Sequence, residues 1–210
     1  MFDNREQAGE ELADLLMEEV DDIDIVLGIP RGGLPVARPV ADAFDTQLDI
    51  IVAKKLGAPG NPERAIGAVA ADGSIWLDED SIEHLNVSEE YVTAEREKAA
   101  EKARKKAETY RTGRKPSLEN KRVLIVDDGV ATGATAIACL RKVRQSTAES
   151  VMLAVPVASP RALKELEGEA DRIISIQAPE HFRAVGQFYR SFEQVSDEQA
   201  RVYLRGIHET

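Results

Sequence analysis

The stretch Arg122-Val-Leu-Ile-Val-Asp127-Asp128-Gly129-Val130-Ala131-Thr132-Gly133-Ala134-Thr135-Ala136 decides how the rest of the chain is read. Val123 to Val126 is an unbroken run of β-branched residues and Leu, as in a parallel strand buried on both faces. The residues after Thr132 are helix formers with apolar spacing, so the stretch reads strand, loop, helix, which is half of a βαβ unit. Asp127 and Asp128 stand at the carboxyl end of the strand. Successive strand residues point to opposite faces, so the two carboxylates cannot share a wall, and neither can be left unpaired in a core without a large desolvation cost. They require solvent or a polar ligand. Free amides of the loop and first helical turn, backed by the positive end of the helix dipole, form a concave anion site to which Thr132 and Thr135 add hydroxyl donors. The ligand called for is one phosphate beside a group rich in hydroxyls.

A lone Asp-Asp-Gly is more often a solvated βα turn. Here the apolar run, the acid pair and the Thr-Gly-x-Thr turn fall in one register, and together they resemble the PRPP (5-phosphoribosyl 1-diphosphate) signature of type I phosphoribosyltransferases. Other phosphate loops fit poorly: no Gly-Lys-Ser/Thr and no GxGxxG after a strand occurs. A response-regulator acid pair would end the first strand, not one past the middle of the chain. The resemblance implies phosphoribosyl transfer from PRPP to a nitrogen nucleophile, a nucleobase or similar acceptor, with release of diphosphate. It implies PRPP contacts from Asp127, Asp128, Gly129, Ala131, Thr132, Gly133, Ala134 and Thr135, with Val130 beside the acceptor. The carboxylates would accept hydrogen bonds from the ribose hydroxyls and hold Mg²⁺ through water.

A second strand, loop and helix precede this one. Ile23 to Gly28 reads as a strand running into Ile29-Pro30-Arg31-Gly32-Gly33-Leu34-Pro35, with a helix starting near Pro35. Arg31 beside two glycines puts a cation next to exposed amides, an arrangement suited to a second anion. By itself it is a surface arginine in a tight turn; the resemblance makes Arg31, Gly32 and Gly33 the loop that contacts the diphosphate. Leu48 to Ala53 reads as the next strand, and Lys54 to Glu63 is so rich in Gly and Pro that it reads as loop. Members of the resembling family often place a basic residue there against the leaving diphosphate, and Lys55 is taken ahead of Lys54.

Around these loops the chain alternates strands and helices. Residues 4–20 form an amphipathic helix with Ala8, Leu12, Leu15, Leu16 and Val20 on one stripe, Asp3 as a cap and a packing role. Ala65 to Ala70 and Ser74 to Leu77 make a hairpin turning at Asp72-Gly73, with Trp76 as packing; the resemblance makes such a hairpin a cover over the site. From Ser88 to Tyr110 runs a charged helix with a thin stripe of Val92, Ala99, Ala103, Ala107 and Tyr110, and Gly113 just past its end. It reads as a solvated outer helix, or else as a face for the partner subunit of a homodimer. Arg114 to Pro116 is a linker, and Val151 to Ala158 and Asp171 to Ile176 are further strands.

This order defines an α/β chain: a doubly wound, mostly parallel sheet flanked by helices, with right-handed crossovers. One domain over 1–210 is expected, with a hairpin and helical insertion at about 65–115 and a small hood at about 177–195. In the resembling family the hood holds the nucleophile, which makes Phe182, Arg183 and Tyr189 candidates for base recognition. One departure stands out. The 6-oxopurine branch carries an Asp two residues before the loop glycine, and here that position is Ala131, which puts hypoxanthine and guanine in doubt as acceptors.

Composition sets outer bounds. A chain of 210 residues with 43% hydrophobic content can bury one good core. A net charge of −11 and a pI near 4.9 argue against a nucleic-acid surface. With a polar, acidic start and apolar runs of strand length only, a cytoplasmic protein with no membrane span is expected. Cys139 reads as a buried, inert thiol, and His84, His181 and His208 lack metal-ligand spacing. A second reading keeps the pocket but makes the chain a PRPP- or nucleotide-binding regulator with little turnover.

Overall fold

The structure, a computed structural model, describes residues 1–110 and 115–205. Gly113, Arg114 and His208 lie outside the described residues. Helix α1 (Arg5–Glu19) is followed by β1 (Ile25–Gly28), α2 (Gly33–Ala43) and β2 (Gln47–Ile50). The hairpin strands β3 (Ala53–Ala58), β4 (Asn61–Ala70) and β5 (Ile75–Leu77) come next, then α3 (Glu79–His84) and α4 (Glu89–Tyr110). The second half runs β6 (Arg122–Val126), α5 (Ala134–Arg144), β7 (Ser150–Val157), α6 (Pro160–Glu165), β8 (Arg172–Gln177), a 3-10 turn at Val185–Phe188 and α7 (Asp197–Arg205).

Five of these strands form one sheet in the order β2-β1-β6-β7-β8, with every pairing parallel. Alternate residues supply its two faces. Ile25, Leu27, Val123, Ile125, Val151 and Leu153 pack with the apolar side of α5, while Val26, Leu124, Val126, Met152 and Ala154 pack with α1 and α2. Helices therefore cover both faces, as the doubly wound reading requires. From β1 the chain steps outward to β2 on one side and later crosses to β6 on the other. The order reverses between β1 and β6, and the loops leaving their carboxyl ends diverge to open a crevice. Gly28 pairs with Val126, so the two loops start level with each other.

The edge of this crevice is anchored at its far end by an ion pair. Asp24 enters β1 and accepts from the Nε (2.9 Å), Nη2 (3.0 Å) and backbone N–H (2.8 Å) of Arg122, the first residue of β6. These bonds, led by the side-chain contact, hold the Asp24 carboxyl down at about 2. A depressed carboxyl contributes stability that is fully present above its unfolded value near 3.8 and is lost as pH falls through about 2. Asp24→Asn is expected to cost about 1 kcal/mol at neutral pH, after discounting for solvent screening. Denaturant titrations of both proteins from pH 7 to pH 2 check this: the gap should close at the acid end, and a constant gap would contradict it.

Three sequence expectations are corrected by the fold. The segment Lys54 to Glu63 is no loop: β3 and β4 pair antiparallel across it, from Ala53↔Ala70 to Ala58↔Asn61. Glycine and proline fit because the register shifts at Leu56/Gly57 and Gly57/Ala58, and a Cβ at Gly57 would lie 2.7 Å from the Pro62 Cα. Such bulged hairpin ends are where a ladder accepts these residues. The cap of α1 is Asn4, whose side chain accepts from the Gln7 N–H at 2.9 Å, in place of Asp3. Helix α4 is more than a solvated outer rod: Ala99 and Ala100 pack on Leu56, Ile66 and Val69 of the hairpin sheet, and Ala103, Ala107 and Tyr110 pack on Leu34, Ile50, Val52 and Ala200. Alanines let the helix come close, so its thin stripe is covered within the chain. The short α3 had no apolar period to announce it. Among the described residues no helix is long and apolar enough to cross a membrane.

Candidate functional site

The crevice between β1 and β6 brings the two sequence-marked loops into contact. Asp127 and Asp128 follow directly on β6, and the Asp128 N–H donates to Asp127 Oδ1 at 2.9 Å. Opposite them, a Cβ added at Gly32 would lie 2.1 Å from Asp128 Oδ2, and one at Gly33 would lie 2.9 Å from the Asp127 Cα and 2.8 Å from the Val126 carbonyl oxygen. Only glycine permits this approach. The Pro30–Arg31 peptide within this loop is cis. Gly32 and Gly33 thus stand against Asp127 and Asp128, although some 95 residues of sequence separate them.

Burial pushes the Asp127 carboxyl well above the usual carboxylate range, and the neighbouring charge of Asp128 adds to the shift. Asp128 is raised too, by burial, while Arg5 opposes the rise. Arg5 Nε donates to Asp128 Oδ2 at 2.7 Å, and the guanidinium sits 3.7 Å from the centre of the Phe192 ring. The sequence reading gave α1 a packing role alone. No periodicity marks Arg5, because its partner comes from a distant part of the chain.

The loop after β6 is held from behind. Val130 forms a β-bridge with Ala158, and the Ser159 hydroxyl donates to the Ala131 carbonyl at 2.6 Å while it caps α6 through the Ala162 N–H at 2.9 Å. Gly133 takes φ +84° as α5 begins at Ala134, which leaves Thr132 exposed and Thr135 half-buried at the mouth. Trp76 of the hairpin packs on the main core and, with Arg64 and Arg161, lines a cavity that reaches Thr132 and Ala134.

A group of cations stands across the crevice from the acid pair. Arg31 Nη1 donates to Asp197 Oδ1 of α7 at 3.0 Å, and the Tyr110 hydroxyl donates to the same oxygen at 2.5 Å. These two contacts, Tyr110 first, hold the Asp197 carboxyl below its usual range. Lys106 of α4 donates from Nζ to the Pro30 carbonyl at 2.6 Å. Lys54 shares a face of β3 with Leu56 and Ala58, which pack toward α4, whereas Lys55 lies on the opposite face and is exposed. Alternation along the strand therefore turns Lys54, not the expected Lys55, toward α4 and Lys106. The preference for Lys55 assumed a loop; in a ladder each residue's face is fixed.

The hood is built from both ends of the chain. The Phe2 N–H donates to the Phe188 carbonyl at 2.8 Å and the Arg190 N–H to the Phe2 carbonyl at 2.9 Å, which joins the N-terminus to the segment after the 3-10 turn. Tyr189 is only 5% exposed, lies 5.3 Å from the Phe2 ring, and donates its hydroxyl to the Asp128 carbonyl at 2.6 Å. It is a strut beneath the acid loop rather than a stacking surface for a base. Val130, also expected beside the acceptor, is likewise buried, at 5% exposed. Phe182 is half-buried against Phe188, with ring centres 5.1 Å apart, and Arg183 is exposed, its N–H donating to Gln187 Oε1 at 3.0 Å.

A parallel sheet with a phosphate-type loop and a basic, glycine-rich loop at its switch point defines a class, and the sequence agrees with it: the phosphoribosyl transferase domain family matches over residues 2–193, and the chain belongs to that family. Among its relatives, a Mycobacterium tuberculosis protein that carries a provisional phosphoribosyl transferase name is 38% identical over 209 residues, which are 99% of this chain and 47% of that protein. The chain therefore spans about half the length of the curated relatives it matches. The crystal structure of TT1426 from Thermus thermophilus is 39% identical, covers 97% of each chain and superposes with a TM-score of 0.82. The AQ2163 protein of Aquifex aeolicus shares the fold alone, at 15% identity, coverage of 97% of this chain and 87% of that one, and a TM-score of 0.54.

Proposed function

We propose that this chain transfers the phosphoribosyl group of PRPP to a nitrogen of a nucleobase-like acceptor and releases diphosphate, a reaction of nucleotide salvage. The observation that carries the reading is the abutment of Gly32 and Gly33, the residues after Arg31, on Asp127 and Asp128 at the switch point. It sets hydroxyl-binding carboxylates beside phosphate-binding amides and a cation, as a sugar with phosphates at both ends requires. The amides at the start of α5, with Thr132 and Thr135, take the 5-phosphate. Asp127 and Asp128 accept from the ribose hydroxyls. At C1 the bond to the diphosphate oxygen breaks and its electron pair leaves with the diphosphate, while the acceptor nitrogen forms the new bond and gives up its proton. Arg31 and Lys54 stabilise the charge that gathers on the departing group. The hairpin and hood exclude water and limit hydrolysis.

Mg²⁺ suits this donor set. Asp127 and Asp128 put two carboxylates side by side at the crevice and would hold the ion through water, with phosphate oxygens as its other ligands. When bound, it supplies neutralising charge to the diphosphate. The regulator reading draws on one observation, the engagement of Arg31 by Asp197.

Incubation with PRPP, Mg²⁺ and a panel of bases, followed by diphosphate release, tests the assignment. With Ala131 where a purine-directed carboxylate would stand, the expected acceptor either has an already ionised or nucleophilic nitrogen or is deprotonated by a hood or hairpin residue, and Phe182 and Arg183 are the hood candidates for meeting it. Hypoxanthine or guanine turnover near ~10⁴ M⁻¹s⁻¹ in kcat/KM would show Ala131 to be the wrong clue. PRPP binding with no turnover on any base would favour the regulator.

A further inference from the structure

We propose that Lys106, on the insertion helix α4, is a phosphate-binding residue that completes with Arg31 and Lys54 a three-cation cradle for the diphosphate of PRPP; this rests on the phosphoribosyl reading. Lys106 lies on the packed side of α4, one turn from Ala103 and one from Tyr110, both buried. A lysine on such a stripe needs a reason, because its ammonium gives up much of its hydration there. One hydrogen bond, to the Pro30 carbonyl, accounts for one of its three donors. That carbonyl belongs to the loop that carries Arg31, Gly32 and Gly33, so the contact aims the ammonium at the crevice and not at solvent.

The charges facing Lys106 from neighbouring elements are Arg31 on the loop after β1, Lys54 on β3, Asp127 after β6 and Asp197 on α7. Burial, then Lys54, then Arg31 push the ammonium down to about 8, and the two carboxylates only partly offset this. Three like charges converge where Asp197 already engages Arg31. A polyanion relieves this repulsion, and the group released at this crevice is one. A role confined to joining α4 to the β1 loop would need only a neutral donor.

Calorimetry with inorganic diphosphate on the full chain tests the cradle. Lys106→Met should weaken binding about 10- to 100-fold, the loss of one charge-assisted contact at 1.4 kcal/mol per tenfold, and Lys106→Arg should recover much of it. Lys105→Met makes the same change in net charge on the exposed side of α4, where Lys105 pairs with Glu101 at 3.3 Å, and should leave binding within twofold. Equal weakening by both variants would overturn the proposal, as would a Lys106→Met protein that binds like wild type. A readout on the unaltered protein guards against a variant that fails to fold: saturating diphosphate should protect Lys106, and not Lys105, from acetylation at pH 8, as read by peptide mass spectrometry. Labelling of Lys106 that is indifferent to diphosphate refutes the assignment. If wild type binds neither diphosphate nor PRPP, the phosphoribosyl reading fails first and takes the cradle with it.

Discussion

Asp127→Asn combined with Asp128→Asn is expected to weaken PRPP binding by about 100-fold or more, since two charge-assisted contacts to the ribose hydroxyls are each worth about 1.5–3 kcal/mol. The single variants should separate in stability. Asp127 carries a carboxyl raised by burial and by its neighbour, so its charge works against the fold, and Asp127→Asn should leave the thermal midpoint unchanged or raise it. Asp128→Asn instead removes the charge that Arg5 meets at 2.7 Å, with both side chains largely buried, and should lower it. Binding site and fold thus pull in opposite directions at Asp127, as expected where a charge is kept for a ligand. Calorimetry with PRPP and Mg²⁺ beside thermal melts decides it; unchanged affinity in the double variant would remove the centre of the functional argument.

Gly33→Ala is expected to have the second large effect, through the backbone. The new Cβ would sit 2.8 Å from the Val126 carbonyl oxygen and 2.9 Å from the Asp127 Cα, atoms of β6 and its loop that cannot rotate away. The two loops must part by several tenths of an ångström, at about 1–3 kcal/mol of stability. Because the same displacement moves Asp127, PRPP affinity should fall along with the midpoint. Gly60 is the control: it stands in the β3–β4 turn with nothing within 4 Å of an added Cβ, so Gly60→Ala should leave PRPP affinity unchanged and cost only the strain of its φ of +71°. If Gly33→Ala binds PRPP as wild type does, the close approach of the loops is not what shapes the site.

The sequence by itself determined the sheet and the two loops. Val123 to Val126 and Ile25 to Gly28 are apolar runs of strand length that suit a parallel sheet covered on both faces, and the acid pair and the two glycines lie in the loops that leave them, so local order names both the strands and the ligand side. What it could not determine depended on facing and on distance. Lys54 and Lys55 are adjacent and chemically alike, and only the pairing of β3 with β4 decides which turns toward α4. Arg5 meets Asp128 across 123 residues and Arg31 meets Asp197 across 166, contacts that carry no local period. Tyr189 shows the same limit: an aromatic residue in an irregular tail fits a base platform or a buried strut equally well, and the packing of Phe2 against it makes it the strut. Lys106 lay within reach, because a lysine at helical spacing from Ala103 and Tyr110 breaks its stripe. What it faces could not be read, since its burial and the charges around it arise from neighbours that the tertiary structure alone supplies.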